Sequence, residues 1–194
     1  MRYSREHKRA TRQRIVESAG RRFKRDGFDG SGVVGLMADA GLTAGAFYAH
    51  FESKDELVAT AVADQLREQR EGIGALAREG AGIEELVRSY LSVEQRDHRE
   101  SGCPSAALLD EIGRSTEATK QAYTEGALAV IDDLAAALSP EDPQSLRLKA
   151  LSLYAGMVGT LQMSRALADR TLADAILEQG IQNALALLNL PKAS

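Results

Sequence analysis

The stretch from residue 33 to residue 51, VVGLMADAGLTAGAFYAHF, limits the possible fold more than any other part of this sequence. Its apolar residues recur at spacings of three and four, which predicts a short helix with one buried face that ends at Gly41. Glycine adopts a left-handed backbone without steric cost, so we expect a turn there and a second helix capped by Thr43. Phe47 and Phe51 would face inward. The stretch therefore predicts a helix-turn-helix whose outer surface is small and polar.

Charge is distributed unevenly along the 194 residues, whose formal net charge is −4. Residues 1–25 hold ten Lys and Arg against two Glu, so the rest of the chain is strongly acidic. A basic front on an acidic body is typical of a protein that presents one end to a polyanion, although a solvated helix face would give the same pattern. Residues 1–9 predict a mobile basic arm, because they contain too few apolar residues to pack.

The remaining sequence predicts an all-α protein of about nine helices, because strand-like alternation is almost absent and Ala and Leu are frequent. We expect a three-helix head at residues 1–55 and a larger helical body at residues 56–194. Ser53 and Glu56 form a capping box that predicts a long helix from there to about residue 72. Further helices are predicted at about 83–96, 103–113, 116–138, 143–168 and from a second capping box, Thr171 and Asp174, onward.

Three features that the sequence lacks indicate the cellular compartment of the protein. No apolar run is long enough to span a bilayer, the basic N-terminal segment has no signal-peptide core, and one cysteine cannot form an intramolecular disulfide. We therefore expect a cytoplasmic protein.

Residues 11–60 resemble the DNA-binding head of the tetracycline-repressor (TetR) family of bacterial transcriptional regulators. The resemblance is carried, in unbroken register, by Gly27-Phe28, Ala40-Gly41-Leu42-Thr43, Gly45, Phe47-Tyr48, His50-Phe51, Ser53-Lys54 and Leu57. It implies a homodimer that binds a palindromic operator in double-stranded DNA, most often as a repressor. It also implies that a small-molecule effector, bound in the body, releases the DNA.

The same resemblance implies which residues meet the DNA. The major groove and its flanking phosphates would be contacted by Thr43, Ala44, Gly45, Ala46, Tyr48 and His50, with Lys54 clamping a phosphate. Ala44 and Ala46 stand where polar side chains are common, so thymine methyl groups and DNA shape would carry more of the specificity. Gly32 replaces a hydroxyl residue, a role that Ser31 can take over. These departures also leave open a helical interaction protein with a degenerate head.

Two sets of residues in the body are candidates for further sites. Large or polarizable side chains would line a ligand pocket, although each also fits an ordinary core position; they are Tyr90, Leu108, Tyr123, Tyr154, Met157 and Met163. The scarcity of aromatic residues suggests an apolar ligand. The last two helices are apolar over broad faces, which predicts a two-fold four-helix dimer interface, with a monomer core as the alternative. Its candidate residues are Leu153, Gly156, Gly159, Ile176, Ile181 and Leu185.

Cys103 is the remaining residue of chemical interest. It precedes Pro104, so we expect it to be a helix N-cap, where the positive end of the helix favours the reactive thiolate. This makes an oxidant or electrophile sensor an alternative function, and a small buried cap the plainer one. Catalysis has no motif in its favour, and His98, Glu100 and Cys103 lack a fourth metal ligand. We expect no enzyme activity, no cofactor and no metal.

Overall fold

A computed structural model describes residues 2–189, which form nine α-helices, one 3₁₀ helix and no strand. The all-α prediction is confirmed. In chain order the elements are α1 (Arg2–Asp26), α2 (Val33–Asp39), the 3₁₀ helix (Ala44–Ala49), α3 (Lys54–Arg78), α4 (Ile83–Tyr90), α5 (Val93–Asp97), α6 (Pro104–Gly113), α7 (Glu117–Leu138), α8 (Pro143–Ala166) and α9 (Arg170–Asn189). We call α1, α2 and the 3₁₀ helix the head, and α3 to α9 the body.

The head packs around four aromatic rings. Phe23 and Phe28 meet edge to face at the end of α1, with 5.3 Å between centroids, and Phe47 stacks on Phe51 at 5.6 Å. All four are buried, as the apolar spacing predicted for the last two. Gly41 has φ +70°, the left-handed conformation expected at the turn. The second motif helix differs from the prediction, because it is a 3₁₀ helix and the Thr43 hydroxyl makes no capping bond.

Two helix boundaries differ from the sequence-based prediction. α1 begins at Arg2, so residues 2–9 are helical and not a mobile arm. Their many Arg, Lys and Glu side chains are good helix formers, which the argument from apolar content ignored. α3 continues through Gly72 and Gly74 to Arg78. Packing along α7 compensates for these glycines; at Gly126 of α7 a Cβ atom would lie 2.6 Å from Leu66.

Two helix N-caps in the structure were not predicted from the sequence. The helix predicted at 83–96 is divided into α4 and α5, because the Ser92 hydroxyl accepts a hydrogen bond from the Gln95 amide and starts a new helix. α9 is capped by Asp169, which accepts from the amides of Thr171 and Leu172. The Thr171–Asp174 capping box is therefore wrong, and Asp174 instead forms an ion pair with Arg96. The capping bond of Ser53 to the Glu56 amide is confirmed at 3.1 Å.

The body is a series of long helices in which α3 packs on α7, α7 on α8 and α8 on α9. Its core continues that of the head without a gap, since α1 packs on both α3 and α6. The division at residue 55 therefore falls within the first turn of α3 and stays a prediction. Between residues 2 and 189, no helix has both the length and the apolar character needed to cross a bilayer.

Candidate DNA-binding surface and ligand cavity

Tyr48 is the most exposed large side chain of the helix-turn-helix, with 75% of its surface accessible. Its ring packs edge to face against the buried Phe47, 5.2 Å away, so the core fixes the direction in which the phenol points. Thr43 and Gly45 are also exposed, whereas Ala44, Ala46 and His50 are half-buried. The predicted contact residues thus form one continuous run, and their roles toward DNA stay predictions.

Arg12 of α1 fixes the end of the 3₁₀ helix. Its guanidinium lies over the Phe51 ring at 4.4 Å, donates to the His50 carbonyl at 3.4 Å and pairs with Glu56 at 2.9 Å. Burial, followed by the nearby charges of Lys8 and Arg12, lowers the pKa of His50. The lowered pKa favours the neutral imidazole, which keeps one N–H donor.

The two predicted phosphate contacts outside this run lie at the turn after α1. Ser31 is fully buried, and its hydroxyl donates to the Gly27 carbonyl at 2.7 Å. It completes the turn, so the structure does not place it on the surface in place of Gly32. The ammonium of the half-buried Lys54 donates to the Phe28 carbonyl at 2.6 Å. A phosphate bound there would compete with the Phe28 carbonyl for the Lys54 ammonium.

A cavity of about 480 Å³ lies where the head meets the body. Its lining comes from α1, α3, α4, α5, α7, α8 and the segment before α6. Of the predicted pocket residues, Tyr90, Tyr154 and Met157 line it. Leu108 is buried in the core, the Tyr123 hydroxyl donates to Ser105, and Met163 is 60% exposed, so these three lie outside it. Residue type indicated soft side chains but not which helix face they occupy.

The cavity wall is largely apolar but includes polar atoms that have no partner. Apolar lining comes from Ile73, Leu76, Ile83, Leu86, Val87 and Leu153, among others. Gln65 Oε1, Gln95 Oε1 and the Tyr90 hydroxyl are buried without a hydrogen bond. Burial of such atoms costs free energy unless a ligand or water satisfies them. The cavity therefore has the composition of a site for a molecule with both apolar and polar parts.

Lys24 is a buried, charged lining residue that sequence reasoning missed. It belongs to the basic segment of α1, yet it is only 4% exposed and its ammonium donates to the Gly102 carbonyl at 3.0 Å. Desolvation lowers its pKa to about 8, an effect that Glu68 and then Cys103 partly oppose. Its position directly after Phe23, eight residues from the buried Val16, was the available signal, because that spacing continues the buried stripe of α1.

Cys103 is the N-cap of α6, as predicted, but it is buried. Its sulfur lies 3.7 Å from both the Tyr154 hydroxyl and Gln69 Oε1. Reactivity needs exposure as well as the thiolate, so modification would require this wall of the cavity to open. His98 and Glu100 are at the surface, and no group of three potential metal ligands occurs in the part of the chain described. Sensing by Cys103 stays a hypothesis.

The predicted dimer residues divide into two groups. Leu153 and Ile181 are buried inside the single chain, so they belong to its own core. Gly156 is exposed and Gly159, Ile176 and Leu185 are half-buried, so they remain accessible to a second copy. The apolar side chains that the structure exposes on these two helices are Leu148, Leu151, Met163 and Leu172. On α8, Leu148, Leu151 and Met163 lie along the same face as Gly159, because their positions follow helical spacing. Together with Leu172 of α9 they form an exposed apolar stripe.

The head is a helix-turn-helix unit, and the cavity lies where this unit meets the body. Residues 15–61 match the family model described as bacterial regulatory proteins of the tetR family. The matched residues cover most of α1, α2, the 3₁₀ helix and the start of α3, so the resemblance of the head to the DNA-binding domain of this family is confirmed. No curated protein matches the sequence significantly.

Solved structures show that the likeness in fold extends over the whole chain. The reduced form of NemR from E. coli superposes with a TM-score of 0.77 at 21% identity, covering 95% of this chain and all of NemR. A TetR-family regulator from Cytophaga hutchinsonii gives 0.75 at 20% identity, with 93% and 96% coverage. FadR from Bacillus subtilis in complex with stearoyl-CoA gives 0.61 at 18% identity, with 87% and 97% coverage.

Proposed function

We propose that this regulator is a homodimeric repressor that binds a palindromic operator and releases it when a small molecule occupies the cavity. The observation that carries this proposal is the position of the cavity, whose wall includes Lys24 of the head together with residues of the body. A ligand there contacts α1, which also supports the 3₁₀ helix through Arg12. Binding energy in the body can thereby act on the DNA-facing surface, provided the ligand prefers the conformation that fits DNA poorly.

The operator surface is proposed to consist of the exposed run from Thr43 to His50, with Lys54 on a phosphate. An exposed Tyr48 held by a buried Phe47 supports this, since an aromatic side chain that is already oriented loses little conformational freedom on binding. Small residues at 44 to 46 allow the backbone to approach the groove closely. Ser31 is not part of this surface, because its hydroxyl is buried.

The dimer is proposed to form through the exposed apolar stripe of α8 and α9. Two heads must lie about 34 Å apart to reach successive major grooves on one side of B-DNA, which a two-fold interface between bodies can provide. We expect the protein to sediment as a dimer and the Leu151→Glu variant to sediment as a monomer. Glu141→Gln, in the loop before α8, serves as the control, and a wild-type monomer at micromolar concentration would disprove this part of the proposal.

Footprinting on the intergenic DNA upstream of the gene tests the function. We expect a protected two-fold symmetric site whose affinity falls steeply between low and moderate salt, as phosphate neutralisation requires. Tyr48→Ala should weaken protection without unfolding the head. Protection by Tyr48→Ala equal to that of the wild type would refute the assigned surface. If the protein selects no DNA from a random-sequence pool, the result would favour the alternative, a helical interaction protein with a degenerate head.

A further inference from the structure

We infer that the effector is an amphipathic organic anion whose charged group binds the Lys24 ammonium while its apolar part lies against α3 and α4. This inference rests on the proposal that the cavity binds the effector, and it adds the chemical class of that effector. It also assigns to a residue of the DNA-binding head a direct part in recognising the ligand.

The first step of the argument is the incomplete hydrogen bonding of Lys24. An ammonium has three N–H donors, and the bond recorded for this one goes to a neutral acceptor, the Gly102 carbonyl. Within the described chain no carboxylate lies within ion-pair distance of its nitrogen. A buried charge of this kind is costly unless it is paired, so an anion that enters the cavity gains a partner that the free protein does not supply.

The second step concerns the other charges around Lys24. They are Arg21 on α1, Glu68 on α3, Cys103 before α6 and Arg165 on α8. Glu68 also lines the cavity, but it is exposed, so water screens its charge. Arg165 is half-buried behind the same wall, where it donates to the Gln95 carbonyl; desolvation lowers its pKa, and its Nη1 atom has no partner. The buried end of the cavity is therefore positive, while the carboxylate of Glu68 lies at its exposed side.

The third step is the distribution of polar and apolar lining. Gln65, which is 3% exposed, shares the inner wall with Lys24 and has a free acceptor at Oε1. Ile73, Leu76, Ile83, Leu86 and Val87 supply an apolar surface from α3 and α4. A purely apolar effector, as the composition suggested, would leave the polar atoms unsatisfied. A purely polar anion would leave the apolar wall without a partner.

Two dyes that differ by one sulfonate group test this inference on the intact protein. The probes are 1-anilinonaphthalene-8-sulfonate and its uncharged parent N-phenyl-1-naphthylamine, followed by fluorescence titration at pH 7. We expect the sulfonate to bind more tightly than the parent. Lys24→Met should weaken sulfonate binding about tenfold or more, since a hydrogen bond to a charged group is lost, and should leave the parent unchanged.

A matched control is available in Lys149, whose ammonium also donates to a carbonyl, that of Leu188, at 3.0 Å and lies outside the cavity. Lys149→Met should leave both affinities unchanged. Affinity for the sulfonate, but not for the parent, should also fall as the pH rises from 7 to 9.5, because Lys24 then loses its proton.

The outcomes separate this inference from the proposed function. Equal binding of both dyes, or sulfonate binding that Lys24→Met does not weaken, would overturn the anion and leave a ligand-responsive regulator intact. Failure of both dyes to bind would overturn the ligand site itself. Operator protection is measured independently, so its loss would overturn the DNA-binding proposal without bearing on the dyes.

Discussion

The head and the body of this protein build their surfaces in different ways. The proposed DNA surface of the head comes mainly from one run of eight residues, 43–50, in which one side chain, that of Phe47, is buried and the others are exposed or half-buried. The cavity instead gathers residues that lie between Lys24 and Met157 in sequence and belong to six helices and one loop. A local surface is specified by adjacent residues, whereas an assembled cavity depends on how helices that are distant in sequence pack together.

The neighbouring residues Phe47 and Tyr48 give the sharpest test of the head. Phe47→Ala removes a fully buried ring, so we expect the free energy of unfolding to fall by about 3–5 kcal/mol in urea titrations followed by circular dichroism. Tyr48→Ala should change it by less than about 0.5 kcal/mol, since the ring is exposed, and should affect operator affinity instead. Comparable destabilisation by both would show that the two side chains are not divided between core and surface.

The pKa of Lys24 tests whether this residue of the head is buried against the body. Its pKa is about 8 in the folded protein and 10.5 in the reference state, so above pH 8 the unfolded chain binds more protons. Stability should therefore rise with pH, by about 2 kcal/mol from pH 7 to pH 9.5. Lys24→Met should abolish this rise, as judged by urea midpoints at several pH values. An unaltered pH profile in the variant would mean that Lys24 is not desolvated.

Gly126 tests the packing on which the body depends. A Cβ atom there would meet the Leu66 side chain at 2.6 Å, so Gly126→Ala should lower the free energy of unfolding by about 1 kcal/mol, despite the better helix propensity of Ala. Gly113, the last residue of α6, also has open space around it and is the control. Gly113→Ala should stabilise the chain slightly, and the two substitutions should therefore have opposite signs in thermal melts.

Glu111 of α6 gives the smallest expected effect. Its carboxylate accepts from the Phe28 amide of the head at 2.5 Å, and Glu111→Gln replaces a charge-assisted hydrogen bond with a weaker neutral one. We expect a loss of less than about 1 kcal/mol, accompanied by faster amide exchange at Phe28. The surface pair of Glu117 with Lys120 is the control, since Glu117→Gln should cost almost nothing. Unchanged exchange at Phe28 would contradict the contact.

The sequence predicted the turn and the aromatic core of the head, and the start of α3, because these signals are local. Gly41, the buried phenylalanines and the Ser53 cap each act within a few residues, and all three occur as expected. The body was predicted less completely, because packing overrides local preference there. α3 passes through Gly72 and Gly74, which would end an isolated helix. The break before α5 depended on the hydroxyl of Ser92, a cap that apolar periodicity does not reveal.

The candidate sites show the same division. The exposed run of the 3₁₀ helix followed from motif spacing, whereas three of six predicted pocket residues lie outside the cavity. Lys24 was counted with the basic residues that face a polyanion, although α1 directs it into the body. Net charge describes a segment as a whole and does not distinguish an exposed cation from a buried one. Only the packing of α1 against α3 and α6 makes that distinction.

The head contacts the body at both ends of α6. Lys24 binds the Gly102 carbonyl just before this helix, and the Phe28 amide binds Glu111 near its end. These two hydrogen bonds hold opposite ends of α6 against the head, while α1 also packs on α3. A ligand that takes Lys24 from Gly102 would leave Glu111 as the remaining one of the two bonds. The end of α6 beside the cavity would then be released from the head while its far end stays attached, and a small change at the cavity would become a change in the angle between α6 and the head.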